Sequence, residues 1–163
     1  MLSVKMVVVG ELREPYLRQA CQEYQKRLSG MCSLSEVVIK EQRLPENPSQ
    51  AEIDRALKEE AQRILPHLTA TANCLPIALC VEGRQFSSEE LAQYLEKRTS
   101  LDGISSLVCV IGSSHGLSEQ VKEKCVLRLS VSKLTFPHTM MRPLMYEILY
   151  RELAIINGKK YHK

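Results

Sequence analysis

Leu107-Val108-Cys109-Val110-Ile111, followed by Gly112-Ser113-Ser114-His115-Gly116-Leu117, decides the fold. The first five residues carry no charge, and Val108, Val110 and Ile111 are β-branched, which favours a strand. A strand with no polar face is buried on both sides, as in a parallel sheet covered by helices. The glycine loop after it lies where such sheets bind ligands, beyond the carboxyl ends of the strands.

The same alternation recurs on both sides. Met1 to Val9 predicts a buried strand. Pro15 opens a helix carrying Leu17, Cys21, Tyr24 and Leu28 at helical spacing, and Gly30 stops it. Leu34 to Ile39 predicts a second strand. Ser49 and Glu52 form a capping box before Ile53, Leu57, Ala61 and Ile64, and Pro66 is expected to close that helix. Ile77 to Val81 predicts a third strand, ended by Glu82-Gly83. Ser87 and Glu90 cap the next helix. Ser118 caps a short one reaching about Lys124, before a fifth strand at Leu127 to Val131. The last helix runs from His138 to about Asn157, with Gly158 as its stop. Five strands alternating with helices predict one α/β domain with a mainly parallel sheet.

Composition sets outer limits. The chain has 163 residues, 44% hydrophobic and 25% charged, with a formal net charge of +3. These values exclude a disordered tail, a collagen and a membrane bundle. No apolar run approaches the ~18 residues of a membrane span. Nothing near the amino end reads as a signal peptide, so a cytoplasmic protein is expected. The six cysteines form no Cys-x-x-Cys pair, so buried, reduced thiols are expected rather than a zinc or disulfide framework. Histidines and acids show no metal-ligand spacing, and no metal is expected.

The small net charge is unevenly placed. From Lys133 to Lys163 there are six basic and two acidic side chains, a net +4. The other 132 residues carry 16 basic and 17 acidic ones, a net −1. A basic end beside a strand-end loop suits a phosphate-rich partner; a solvated helix face with a frayed tail is the plainer alternative. The last helix also carries Met140, Met141, Leu144, Met145, Ile148, Leu149, Ile155 and Ile156, more than one apolar stripe. Such a helix packs on two surfaces, either both within the monomer or one on a second subunit. Gly-x-x-x-Gly at Gly112 and Gly116 is a weak signal alone, and His115 within it either contacts a ligand or is solvated.

At these positions the sequence resembles a known family, the RlmH family of SPOUT-class ribosomal RNA methyltransferases. The matching residues are Ile111-Gly112, Gly116-Leu117, Leu129-Ser130, the run Ser132 to His138, Arg142, Glu147, Tyr150-Arg151 and the terminal Tyr161-His162-Lys163. Val9-Gly10, Glu23-Tyr24, Lys26-Arg27-Leu28, Pro45-Glu46-Asn47 and Lys58-Glu59 also fit, so the likeness spans essentially the whole chain, residues 1–163. The resemblance implies a SPOUT-type α/β domain with a C-terminal trefoil knot, a homodimer, and S-adenosyl-L-methionine as cofactor. It implies methylation of N3 of a pseudouridine in 23S rRNA of the assembled ribosome. It also implies a cofactor pocket with Leu79, Gly112, Val131, Ser132, Lys133, Leu134, Thr135 and Phe136. Within that frame His162 or His138 is the expected proton acceptor, with Tyr161 stacking on a flipped base and Arg142 in the catalytic set. Arg142, Arg151, Lys159, Lys160 and Lys163 are the expected RNA contacts. The sequence departs from the family pattern at Ser113, where a second glycine is usual, at Cys80, where an acid is common, at Pro143, and at Ile148 and Glu152. A non-catalytic ribosome-binding or assembly factor that kept the cofactor fold is the alternative function, and another SPOUT target RNA is a third.

Overall fold

The computed structural model describes residues 1–68 and 72–159. The elements alternate: β1 (Ser3–Val9), α1 (Pro15–Leu28), β2 (Ser33–Ile39), α2 (Gln50–Leu68), β3 (Cys74–Arg84), α3 (Ser88–Ser100), β4 (Ser106–Ile111), α4 (Glu119–Lys124), β5 (Leu127–Leu129) and α5 (His138–Ile156). The five strands form one sheet in the order β2-β1-β4-β3-β5, and every adjacent pair is parallel. The α/β expectation therefore holds at the level of sheet and helices.

Side-chain alternation divides the core between the two sheet faces. Val4, Met6 and Val8 of β1 pack in the larger cluster with Leu17 and Cys21 of α1, Leu91 and Leu95 of α3, and Met145, Leu149 and Leu153 of α5. Val7 and Val9 point the other way, joining Ala61 and Ile64 of α2 and Val121 of α4. In β4, Leu107 and Cys109 belong to the first cluster and Val108 and Val110 to the second. That double burial is what the uncharged run required. All parallel strands share one direction, so their carboxyl ends share one edge of the layer.

Local chemistry sets the helix limits. Ser87 accepts from the Glu90 N–H while the Glu90 carboxylate accepts from the Ser87 N–H, a complete capping box. Ser49 and Glu52 exchange the same bonds at the start of α2. Pro66 does not close that helix, as its position suggested; α2 continues to Leu68. Proline removes one helical N–H, but Pro66 and Gln62, whose carbonyl loses its donor, are both exposed, so that loss falls on the solvent side of the helix. Buried Leu68 holds the extra turn on the core.

Strand limits also differ from expectation. β3 begins at Cys74 instead of Ile77 and runs on to Arg84, and β5 ends at Leu129 instead of Val131. At the far ends the reason is a second encounter between them. Leu129 is in register with Leu79 and again with Arg84, and the Ser130 N–H donates to the Arg84 carbonyl. Gly83 permits this approach: a Cβ there would lie 2.6 Å from the Arg128 carbonyl oxygen. All six cysteines are free, but Cys74, Cys80 and Cys125, expected to be buried, are only half-buried. No helix among the described residues is long and apolar enough to cross a membrane.

Candidate functional site at the carboxyl ends of β3, β4 and β5

Three neighbouring strands end on the same edge of the sheet, and each is followed by a chain turn. After β4, the loop folds tightly on itself: the Gly116 N–H donates to the Ser113 carbonyl at 2.9 Å. Gly116 has φ +82°, a left-handed conformation suited to glycine. Gly112 must also lack a side chain, because a Cβ would sit 2.2 Å from the Gly116 carbonyl oxygen. After β5, Ser130 Oγ donates to the Ser132 carbonyl and Ser132 Oγ accepts from the Leu134 N–H, each at 3.0 Å. This shape presents Leu134 and Phe136, 70% and 42% exposed, outside the core.

Between these turns and the end of β3 lies a cavity of about 360 Å³. Leu79, Ile111 and Leu129 line it from the strand ends; Gly112 to Leu117 form one side; Val131, Ser132, Leu134, Thr135, Phe136, His138 and Met141 contribute from the last loop and α5. Its size lies within the range of small-ligand sites. Seven of the eight residues named as a cofactor pocket surround it; Lys133 is exposed and is not in the lining.

The rim holds a charged pair that sequence reading missed. Glu82, just past the point where β3 meets the cavity, pairs with Lys122 of α4 at 2.5 Å, and Lys122 also reaches Glu119 at 3.3 Å. The Lys122 bond holds the Glu82 carboxyl below its ordinary value, so it stays ionised. Arg128 completes the group through Glu119 at 2.7 Å. The available sequence signal was Glu82 directly after an uncharged strand. Cys80 lines the cavity too, and burial raises its thiol pKa, which keeps it protonated.

Ser113 has a local explanation. Its side chain is buried beside the carboxylate of Glu60, itself buried on α2, and acts to lower that carboxyl's pKa. The Gln42 N–H donates to Glu60 at 3.0 Å. Burial is the main effect on Glu60 and raises its pKa, and Gln42 and Ser113 oppose that rise. A serine here ties the glycine loop to α2, which glycine could not do.

The other candidate residues separate into distinct settings. His138, at the amino end of α5, is half-buried and lines the cavity. Arg142, expected among the catalytic and RNA-contacting residues, is 7% exposed and turned inward, with its partners inside the fold. Its guanidinium donates to the Gly10 carbonyl at 2.6 Å and lies 3.8 Å from the Glu36 carboxylate. Arg151 pairs with Glu147 at 2.6 Å on the same helix. Lys159 is exposed. Lys160, Tyr161, His162 and Lys163 lie outside the described residues. Among the described residues, no group of three His, Cys, Asp or Glu is placed to hold a metal ion.

Comparison with known proteins agrees with this architecture. A family model described as "Predicted SPOUT methyltransferase" matches residues 2–162. The chain is 42% identical over 161 residues to the ribosomal RNA large subunit methyltransferase H of Caldicellulosiruptor bescii, covering 98% of this chain and 99% of that protein. It is 38% identical over 162 residues to the protein of the same name from Carboxydothermus hydrogenoformans, covering 99% and 100%. Among solved structures, a probable methylase family protein from Haemophilus influenzae Rd KW20 matches with a TM-score of 0.56 at 18% identity, over 100% of this chain and 72% of that one. A probable methyltransferase from Bordetella pertussis Tohama I gives the same TM-score at 14% identity, over 93% and 95%. At such identities the two structures speak for the fold.

Proposed function

The chain belongs to the SPOUT methyltransferase family and, within it, to the ribosomal RNA large subunit methyltransferase H group, and from that membership we propose that it methylates N3 of a pseudouridine in 23S rRNA with S-adenosyl-L-methionine. The observation that carries the reading is the cavity at three adjacent strand ends, built from the residues through which the chain resembles that group.

The cavity suits this cofactor chemically. Leu79, Ile111, Leu129 and Val131 offer apolar surface for a flat base. Gly116 leaves the turn open to a ligand, since nothing lies within 4 Å of where its Cβ would stand, while Gly112 lets the turn close on itself. Glu82, held ionised by Lys122, offers an acceptor to ribose hydroxyls or an ammonium group. When bound, S-adenosyl-L-methionine supplies a methyl group on a positively charged sulfur that leaves as a neutral thioether. The residues Leu79, Gly112, Val131, Ser132, Leu134, Thr135 and Phe136 would hold it, with Lys133 at the outer edge.

The remaining work is positioning and proton removal. Holding acceptor and methyl in line can supply up to about 7–11 kcal/mol of the barrier reduction. The acceptor N3 must lose its proton, and an acceptor side chain contributes about 10²–10⁴-fold. His138 is the described candidate; His162 is the candidate from the tail. Tyr161 offers a stacking face for a base drawn out of the RNA. Arg151, Lys159, Lys160 and Lys163 serve the phosphates, while Arg142 acts inside the fold.

Two further features belong to this reading. The chain acts as a single-domain homodimer: Leu134 and Phe136, which line the cavity, and Met140 of α5 leave apolar surface exposed. Residues after β5 pass through a trefoil knot, a feature of this reading that rests on membership of the SPOUT family. Light scattering that gave a monomeric mass would overturn the dimer. The function is tested by incubating large subunits and 70S ribosomes, from cells lacking the gene, with methyl-tritiated cofactor and mapping the product by mass spectrometry. One methyl on a 23S pseudouridine is expected. Binding of ribosomes without transfer, and no heat with S-adenosylhomocysteine, would replace the enzyme by a ribosome-binding factor.

A further inference from the structure

A second concavity, about 620 Å³, opens beyond the carboxyl ends of β1 and β2. It shares Ser114, His115 and His138 with the cavity described above, so the two spaces meet at one wall. Its rim carries Arg13, Lys40 and Arg43, all exposed, and none of the three side chains forms an ion pair among the described residues. Glu11, Glu14 and Glu41 line it as well. One oxygen of Glu14 is shielded from solvent and has no hydrogen-bond partner among the described residues.

The frame of this cleft is fixed from both sides. At the end of β1, the Gly10 N–H donates to the Ile39 carbonyl at 2.8 Å while the Gly10 carbonyl accepts from Arg142. After β2, Arg63 of α2 donates to the Lys40 carbonyl at 2.8 Å and to the Gln42 side chain at 3.1 Å, and the Gln42 N–H is held by Glu60. The backbone is thus anchored while the cationic ends of Arg13, Lys40 and Arg43 remain uncommitted.

We propose that this cleft seats the RNA segment carrying the target nucleotide, with Arg13, Lys40 and Arg43 on its phosphates and the carboxylates facing donors on its bases. The inference rests on the methyltransferase reading and names the substrate subsite of that site. Contiguity is the first reason: an acceptor must lie against the methyl donor, and this is the space that adjoins the first cavity through His115 and His138. Charge balance is the second. Three cations and three carboxylates give no net field for a simple polyanion, but they fit a ligand that alternates phosphate with N–H-bearing base edges. The third is that Arg142, the arginine expected to hold phosphate, is committed inside the fold, whereas these three are free.

The test compares the wild type, R13A/K40A/R43A and the charge-keeping R13K/K40R/R43K as full chains. Readouts are methyl transfer to large subunits lacking the modification, and cosedimentation with those subunits across salt. The alanine variant is expected to raise KM for subunits about tenfold or more and to lower the salt slope of association by about 2, near 0.7 per phosphate contact on single strands. Affinity for S-adenosylhomocysteine stays unchanged, and the charge-keeping variant stays near wild type. An unchanged KM and an unchanged slope in the alanine variant overturn the cleft. A wild type that transfers no methyl overturns the enzymatic reading alone, since cosedimentation still decides the cleft. A photocrosslinking residue at position 40 identifies the partner: a crosslink to RNA supports the inference, and a crosslink to a ribosomal protein overturns it.

Discussion

Arg142 and Gly10, separated by 132 positions, are joined by a 2.6 Å hydrogen bond from guanidinium to backbone carbonyl. This bond ties the first helical turns of α5 to the end of β1, between the two concavities. Glu36 of β2 stands beside it: it accepts from the Tyr146 hydroxyl at 2.5 Å, and Tyr146 accepts from Gln25 of α1 at 3.1 Å. Burial, followed by the bond to Glu36, keeps the Tyr146 phenol protonated. Four elements thus meet at one partly buried polar network, which positions the amino end of α5 and His138 with it.

Replacing Arg142 by alanine removes a charged donor from a buried carbonyl and leaves Glu36 without its counter-ion. The expected loss is about 2–3 kcal/mol, at the lower end for buried pairs because Glu36 keeps some solvent contact. Urea denaturation should show a lower midpoint with an unchanged slope. A midpoint equal to wild type, with activity lost, would return Arg142 to the RNA contacts.

Much of the architecture was legible because single residues carry strong local rules. Ser87 with Glu90 announces a helix start, and the uncharged Leu107–Ile111 run announces a strand buried twice. Pro66 misled because proline's rule concerns one hydrogen bond, and an exposed turn tolerates its loss. Arg142 misled for a different reason. An arginine in a basic segment reads as surface, and its burial depends on Gly10 and Glu36, which are distant in sequence. The Glu82–Lys122 pair and the cleft cations Arg13, Lys40 and Arg43 depend likewise on strand order, which spacing does not encode.

Ser113 to glycine removes a donor beside buried Glu60. The variant should lose about 1–3 kcal/mol, the range for a hydrogen bond to a charged group and its desolvation. The loss should be larger at pH 8 than at pH 5, because the hydroxyl serves the ionised carboxylate. Equal stability of the two proteins at pH 8 would show that Glu60 does not depend on this hydroxyl.

Gly112 to alanine places a methyl 2.2 Å from the Gly116 carbonyl oxygen, so the loop must move. The movement opens the turn that borders the first cavity. Calorimetry with S-adenosylhomocysteine should show affinity reduced about tenfold or more, equivalent to at least 1.4 kcal/mol. Unaltered affinity would remove the glycine turn from the cofactor site.

Deletion of residues 161–163 tests the roles assigned to Tyr161 and His162. Loss of a proton acceptor and a stacking face should lower kcat about 10²-fold or more while cofactor binding is retained. Transfer at the wild-type rate would leave His138 as the candidate acceptor.

Glu152 supplies the clearest pH signature. It lies on α5 against α3, 2% exposed, and burial pushes its pKa from the ordinary 4.5 up to about 7. Nearby Glu89 adds to the rise, while Arg151 and the Ala92 N–H oppose it. One of its carboxylate oxygens has no partner among the described residues. Between pH 4.5 and 7 the folded chain keeps this proton and the unfolded chain releases it. Stability from this group therefore falls as pH rises through that interval, and the deficit persists above it. Glutamine mimics the protonated acid and cannot ionise. Glu152→Gln should gain about 2–3 kcal/mol over wild type at pH 8, and almost nothing at pH 5, in denaturation at the two pH values. The same gain at both would mean that packing, not ionisation, separates the two side chains.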